Sequence, residues 1–168
     1  MYFRVILNHL CYAIGLKKVF IQFLYRGNVL YWSSKTKNIM LKVEYDPQRE
    51  LVVVTTSGTV SFEELIKGTE ILNREDLPLD LKAIDDATNI NYDIEVDQIP
   101  FIIGNILNKI SRFNSVKHAI VHAAPINTAY SLMAETEIKN SNYHLKTFST
   151  REAALKWLGV NPDEDTEK

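Results

Sequence analysis

The sequence predicts an α/β fold with a mixed, mostly parallel five-stranded sheet, and three observations support this prediction. Residues 51–74 contain a β-branched apolar run, a Ser57-Gly58 turn and an amphipathic helix, which together make half of a βαβ unit. The turn at residues 46–49 is too short for a crossover, so the strands on either side of it must pair antiparallel. From Met40 onward, short apolar runs alternate with helical stripes, as in parallel sheets. The predicted order is ββαβαβαβα, with one antiparallel edge strand.

The first two strands and the first helix follow from local patterns. Residues 41–45 alternate apolar and polar side chains, which is typical of a half-exposed strand, and we expect this strand at the edge of the sheet. Asp46 and Pro47 fit the first two positions of a type I turn. The strand at residues 51–56 begins with four apolar residues, which predicts that both of its faces are covered. Ser61 and Glu64 predict a capping box at the start of the first helix.

Three more strand and helix pairs complete the prediction. A strand at residues 81–86 is followed by a polar loop at residues 88–96. The next helix, from Asp97 to about Phe113, has the clearest apolar stripe in the chain, formed by Ile99, Ile102, Ile103, Ile106, Leu107, Ile110 and Phe113. A strand at residues 116–124 precedes a helix whose predicted inward residues are Ala129, Leu132, Met133 and Thr136. A strand at residues 144–148 precedes a last helix predicted to bury Ala153, Ala154, Trp157 and Leu158.

Composition divides the 168 residues into three parts. Residues 1–39 hold six Lys or Arg and no acidic residue, and their apolar run is too short and too interrupted for a membrane span or a signal peptide. Three interpretations of this basic extension stay open: sequence upstream of a true start at Met40, which we favour, an amphipathic segment that lies on a membrane or partner, or an integral part of the fold. Residues 40–159 form the predicted domain. Residues 160–168 form an acidic tail that we expect to be disordered.

The overall composition excludes some function classes. The chain is 46% apolar and 24% charged with a net charge of −2, which is ordinary for a globular protein. The acidic domain has no basic stripe, which argues against a nucleic-acid partner. Cys11 is the single cysteine, so no internal disulfide forms, and we expect a reducing, cytoplasmic location without stable membrane insertion.

No pattern of residues predicts a catalytic centre, a metal site or a cofactor. Asp85 and Asp86 are neighbours on a strand and point to opposite faces, so they do not easily share one ion. His118 and His122 lie on one strand face but about 13 Å apart, too far to share a metal, and we interpret both as structural. The isoleucine stripe fits core packing, with an apolar ligand pocket as the alternative. We therefore expect a non-enzymatic protein, with a metal-dependent hydrolase as the last of the alternatives.

Several stretches resemble the SpoIIAA-like family of the STAS superfamily, also known as STAS/SEC14-like. They are the hairpin LKVEYDPQRELVVVTTSGTVSFEEL, the strands LKAIDDA and VKHAIVHAA, and the ending LKTFSTREAALKWL, which together cover residues 40 to about 159. The resemblance implies a STAS fold and a regulatory protein-interaction role like that of bacterial anti-sigma-factor antagonists, with an unidentified protein partner. The SEC14-like relation implies an alternative, a carrier or sensor of a small apolar ligand or lipid. We expect no cofactor, and the sequence does not predict an oligomeric state.

The same resemblance identifies a candidate regulatory loop after the third strand. Antagonists of this family carry an Asp-Ser-Ser-Gly type motif there, and a kinase phosphorylates its serine. This chain lacks that serine, and Thr88 is the residue that stands in its place. A phosphate on Thr88 would add about −1.5 to −2 charge to an already acidic loop and oppose docking of a partner. We expect this loop to be exposed, with the site residues Asp85, Asp86, Thr88, Asn89, Tyr92 and Asp93.

Overall fold

A computed structural model describes residues 21–26, 29–34, 39–139 and 142–161. Within these residues, seven strands form one sheet whose spatial order follows the chain. The first four strands pair antiparallel and the last four pair parallel. The strands are β1 (Ile21–Arg26), β2 (Val29–Ser34), β3 (Ile39–Asp46), β4 (Leu51–Ser61), β5 (Asp80–Asp93), β6 (Ser115–Val121) and β7 (Tyr143–Phe148).

Within the same described ranges, four α-helices connect or follow the parallel strands of the sheet. They are α1 (Phe62–Gly68), α2 (Ile99–Lys109), α3 (Pro125–Glu137) and α4 (Arg151–Leu158). Short 3₁₀ segments, Thr69–Asn73, Val96–Gln98 and Ile110–Arg112, continue α1 and flank α2. None of the helices within the described ranges is both long and apolar enough to cross a membrane.

The predicted α/β order from residue 40 is confirmed. Strands β3 and β4 pair antiparallel, and β4 to β7 are parallel neighbours joined by helical crossovers. The turn between β3 and β4 is closed by Asp46, whose carboxylate accepts a hydrogen bond from the Gln48 N–H at 3.0 Å. At the start of α1, the Glu64 carboxylate accepts from the Ser61 N–H at 2.8 Å. Local turn and capping chemistry therefore places these elements as the sequence predicts.

The prediction that β3 lies at the edge of the sheet is wrong. Strand β2 pairs with β3 along its whole length, and β1 pairs with β2, so two further strands extend the five predicted ones. Both strands lie within residues 1–39, whose interpretation as sequence upstream of Met40 stays a prediction. Residues 1–20, 27–28 and 35–38 lie outside the described residues, as does the tail from residue 162, so its predicted disorder is not tested.

The predicted loop at residues 88–96 is also corrected, because β5 continues as a strand to Asp93. Strand β4 runs to Ser61 and supplies hydrogen-bonding partners for this extension. Between the pairs Thr55↔Asp86 and Ser57↔Asn89, two residues of β5 lie opposite one residue of β4, which is a β-bulge. The bulge shifts the alternation of side chains by one residue. The alternation of inward and outward side chains along β5 therefore changes at the bulge, although the strand itself continues through it.

The two faces of the sheet are covered by different helices. Helix α4 packs on one face, where Leu51, Ile84, Ala119 and Val121 meet Ala154, Leu155 and Leu158. Ala153, predicted to be buried in α4, is instead exposed. Helices α1, α2 and α3 cover the opposite face.

The inward side of α3 differs from the prediction. Leu132 and Met133 are exposed, and the buried residues of this helix are Asn127 and Ser131. The Asn127 side-chain amide donates to the Ile90 carbonyl at 2.8 Å, so a polar contact rather than an apolar one fixes this face. A stripe of apolar residues was thus a poor guide to the orientation of α3.

Candidate functional site: a cavity between the sheet and three helices

A cavity of about 200 Å³ lies between one face of the sheet and helices α1, α2 and α3. Most of its wall is aliphatic. Helix α2 contributes Ile99, Ile102, Ile103 and Ile106, and β3, β4 and β7 contribute Leu41, Val54 and Leu145. The sequence leaves core packing and an apolar pocket as alternatives for the isoleucine stripe of α2. Its residues pack in the core and also line the cavity.

Asp85 brings a carboxyl group into this apolar space. It lies on β5 immediately before the bulge, on the face opposite to Ile84, and it lines the cavity. Its one hydrogen-bonding partner within the described part of the chain is the Thr56 hydroxyl, at 3.2 Å. Burial raises the pKa of Asp85 to about 7, and the neighbouring charge of Asp86 adds to the rise. Half-buried and facing the cavity, this carboxyl changes its charge near neutral pH.

His118 and Tyr143 form a second polar pair on the cavity wall. His118 Nδ1 lies 2.7 Å from the Tyr143 hydroxyl, on the neighbouring strand. Burial lowers the pKa of His118 to about 4, so the ring is neutral at physiological pH. Burial also raises the pKa of Tyr143 above its ordinary value, and the charge of Asp85 adds to this effect. His118 Nε2 is buried without a hydrogen-bonding partner among the described residues.

A third polar group connects β5, β6 and α3 at one end of the cavity. His122 Nδ1 lies 3.4 Å from the Ala87 carbonyl, which can only accept, so Nε2 accepts from the Ser131 hydroxyl at 2.7 Å. Burial lowers the pKa of His122, although the bond to Ala87 partly offsets it. Tyr92 packs edge-on against His122 at 5.8 Å and against Tyr130 at 5.7 Å between ring centroids. Ser131, Tyr92 and Tyr130 all line the cavity.

The structure places the predicted site residues in two different environments. Asp85 and Tyr92 line the cavity, on either side of the β5 bulge. Asp86 lies on the opposite face, where its carboxylate accepts from the Thr88 hydroxyl at 2.7 Å. Asn89 and Asp93 are exposed along the strand. The exposed loop expected here is thus a strand, although its proposed regulatory role stays a prediction.

Sequence reasoning missed other polar residues of the cavity wall. They are Thr56, whose hydroxyl donates to Asp85, together with His118, Ser131 and Tyr143, and the sequence predicts only a structural role for His118. One signal was available, because His118 shares its strand face with Val116 and Ile120, which predicts that it points inward. Within the described residues, no cluster of three metal-ligating side chains exists.

Comparison with known proteins bears on the fold. No protein-family model matches the sequence, and no curated protein has a significant sequence match to it. In structure, the chain is similar to an uncharacterized protein of the DUF3478 family with a SpoIIAA-like fold from Shewanella loihica PV-4. The two share 17% sequence identity with a TM-score of 0.50, and the match covers 75% of this chain and 98% of the other. The likeness concerns the fold alone, and the chain therefore has a SpoIIAA-like α/β fold.

Proposed function

We propose that this protein binds a small, mainly apolar molecule in the cavity, as a carrier or sensor. The observation that carries the proposal is a cavity of about 200 Å³ with an aliphatic wall and a few buried polar groups around Asp85. Ligand sites commonly combine a mostly apolar wall with a small number of placed polar groups, which orient the bound molecule. The second candidate, a regulatory protein-interaction role, is treated below.

The incomplete packing of the cavity wall supports this proposal. Side chains that line unfilled space lack contact partners on one side and lose the dispersion energy of those contacts. A bound apolar molecule restores the missing contacts, so occupancy of the cavity should stabilise the fold.

The cavity volume also limits the size of the ligand. An engineered apolar cavity of about 150 Å³ binds benzene. A cavity of about 200 Å³ therefore suits a molecule slightly larger than benzene, with about ten non-hydrogen atoms.

Binding of ethylbenzene to the full chain tests this proposal, with line broadening and chemical-shift changes in NMR as the measurement. We expect saturable binding that perturbs the methyl groups of Ile103 and Ile106, which line the cavity. Ala134→Leu fills part of the space from α3 and should weaken binding by at least about tenfold, since several methylene volumes are lost. Ala153→Leu makes the same change at an exposed helical position and should leave binding unchanged.

The outcome is decided by these three proteins together. Binding that shifts the cavity methyl groups and responds only to Ala134→Leu supports a ligand cavity. No saturable binding to the parent protein, or equal binding by all three proteins, would contradict the proposal.

A second proposal is regulatory protein interaction at the exposed end of β5. It is supported by the exposure of Asn89 and Asp93 and by the resemblance to anti-sigma-factor antagonists. The Thr88 hydroxyl already binds the Asp86 carboxylate, so a phosphate on Thr88 would be repelled by that carboxylate and would break this contact. Phosphorylation would thereby change both the charge and the local conformation of this surface.

The matched pair Thr88→Glu and Thr88→Ala tests this second proposal. We expect Thr88→Glu to reduce capture of a host protein, since it adds negative charge beside Asp86, whereas Thr88→Ala retains most of it. Both variants lose the hydrogen bond from the Thr88 hydroxyl to Asp86, so each should lower stability by about 0.5 to 1.5 kcal/mol while the protein stays folded. Quantitative mass spectrometry of proteins captured from host lysate is the measurement. Equal capture by the parent and both variants excludes Thr88 as a switch.

A further inference from the structure

We infer that the ligand of this cavity is an apolar amine, whose ammonium group binds the carboxylate of Asp85 while its hydrocarbon part contacts the α2 isoleucines. The inference rests on the proposed function and specifies its ligand class. It follows from the charges on the cavity wall, from the unused hydrogen-bonding capacity of Asp85 and from the aromatic rings beside it.

The charges on the cavity wall have one sign. The ionisable acids that line it are Asp85 and Glu64, and no Lys or Arg is found among the described lining residues. Lys109 contacts the lining residue Thr69 at 2.7 Å, but its ammonium group pairs with Glu70 at 2.6 Å. An anionic ligand would meet Asp85 without a compensating positive charge, which is unfavourable in an apolar space.

Asp85 has hydrogen-bonding capacity to spare. A carboxylate offers about four acceptor positions, and the described structure fills one of them, with the Thr56 hydroxyl at 3.2 Å. The other acid, Glu64, already accepts from the Ser61 N–H at the start of α1. Asp85 is therefore the acid on the cavity wall that is best able to receive an ammonium group with three donors.

Aromatic rings complete the environment expected for a cation. Tyr92, Tyr130 and Tyr143 line the cavity, and the first two pack edge-on at 5.7 Å between centroids. Ring faces attract an ammonium group, most strongly where water is excluded. His118 does not compete with the ligand, because burial holds its pKa near about 4 and keeps the ring neutral.

Proton release gives the binding a defined pH dependence. The titratable groups that share the cavity wall with Asp85 are Tyr92 on β5, His118 on β6, Tyr143 on β7, Tyr130 on α3 and Glu64 on α1, and Asp86 is its neighbour on the strand. The pKa of Asp85 is about 7 in the free protein, so below that pH an ammonium ion must displace a proton. Amine affinity should then rise by up to about tenfold per pH unit toward about pH 7 and level off above it.

Four probes with the same phenyl body and a two-carbon side chain test the inference: ethylbenzene, 2-phenylethanol, 2-phenylethylamine and phenylacetate. Binding to the full chain is measured by NMR titration at about pH 8, where an alkylamine with a pKa of about 10 is still ionised. We expect the amine to bind at least about tenfold more tightly than ethylbenzene or the alcohol, and phenylacetate to bind most weakly.

Two variants connect this preference to Asp85. Asp85→Asn retains the size of the side chain and the bond from Thr56 but removes the charge, so it should abolish the amine preference and leave ethylbenzene binding intact. Asp86→Asn removes a neighbouring carboxylate from the opposite face and should leave the preference in place. Ethylbenzene binding by each variant also shows that the variant is folded.

The results distinguish the amine inference from the more general proposal of a ligand cavity. Ethylbenzene binding without an amine preference, or a preference that survives Asp85→Asn, overturns the amine inference and leaves the ligand cavity standing. Failure of all four probes to bind the parent protein overturns both.

Discussion

The two faces of the sheet are built from the same strands, yet one is closed and the other encloses a cavity. Ile84 and Asp85 are consecutive residues of β5 and show the difference most directly. Ile84 is fully buried in an apolar cluster with Leu155 and Leu158 of α4. Asp85 points to the other face, into a cavity of about 200 Å³ under α1, α2 and α3. The comparison indicates that α4 packs the sheet densely, whereas the three-helix face leaves the space that the proposed ligand would fill.

Buried polar groups follow the same division. The polar side chains that are buried within the described residues lie on the side of α1, α2 and α3, and they are Thr56, Ser61, Glu64, Thr69, His122, Asn127 and Ser131. A buried polar group costs free energy unless it is hydrogen-bonded, so a fold selected for stability alone has little use for this concentration. Polar groups gathered beside a cavity are instead expected where a ligand must be oriented.

The largest expected effect compares truncations on the two faces. Leu155→Ala removes side-chain atoms from dense packing and should cost about 3 to 5 kcal/mol, since its neighbours under α4 leave little room to relax. Ile103→Ala, on the cavity wall, should cost about 2 kcal/mol, because this side chain already lacks contacts on one side. Urea unfolding of both variants gives the comparison. Equal costs would show that the two faces are packed alike.

Asp85 makes the cavity face sensitive to pH. Its pKa is about 7 in the folded protein and 3.8 in an unfolded chain, so the unfolded state loses its proton first as pH rises. The folded state therefore loses stability between about pH 4 and about pH 7, and the loss is complete above that range. Asp85→Asn should match the parent near pH 4 and be more stable by about 2 to 4 kcal/mol near pH 8.

Unfolding measured across this pH range checks the expectation. Asp86→Asn is the matched control, because it removes a carboxylate from the same strand but not from the cavity, and its gain near pH 8 should be smaller. A stability difference between parent and Asp85→Asn that does not change with pH would mean that Asp85 is solvated in the folded protein.

The smallest effect concerns filling the cavity. Ala134→Leu adds apolar volume from α3 without changing helix propensity much, so we expect a gain of about 0.5 to 2 kcal/mol in the ligand-free protein. Ala153→Leu, at an exposed position of α4, should change stability by less than about 0.5 kcal/mol. Thermal unfolding of both variants distinguishes them. A loss of stability in Ala134→Leu would indicate that the space beside α3 is too small for the added atoms.

Features that depend on neighbouring residues were predictable from the sequence. The Asp46 turn, the capping box of Ser61 and Glu64, and the α2 stripe each involve contacts within a few residues along the chain. Their physical causes act locally, so a single sequence contains the information. These features were enough to predict the order of strands and helices from residue 40.

The cavity could not be predicted in the same way, because it depends on pairings between distant segments. Thr56 and Asp85 are 29 residues apart, and the bulge beside them shifts the alternation of β5. The polar composition of residues 88–96 predicts a loop, whereas pairing with the distant strand β4 keeps residues 88–93 extended. In α3, the exposed Leu132 and Met133 indicated the wrong face, because the buried face carries the polar Asn127 and Ser131. The residues that break local patterns are thus those gathered around the candidate site.

Xenon binding in a crystal tests directly whether the three-helix face contains an apolar cavity, since xenon enters such cavities and can be located by its scattering. We expect xenon in the cavity beside Ile103 and Ile106 and none in the packed cluster between Ile84 and α4. Crystals of the Ala134→Leu variant should show reduced occupancy at the same position. A pressurised crystal without xenon beside the α2 isoleucines, or with equal occupancy on both faces of the sheet, would contradict the assignment of the three-helix face to ligand binding.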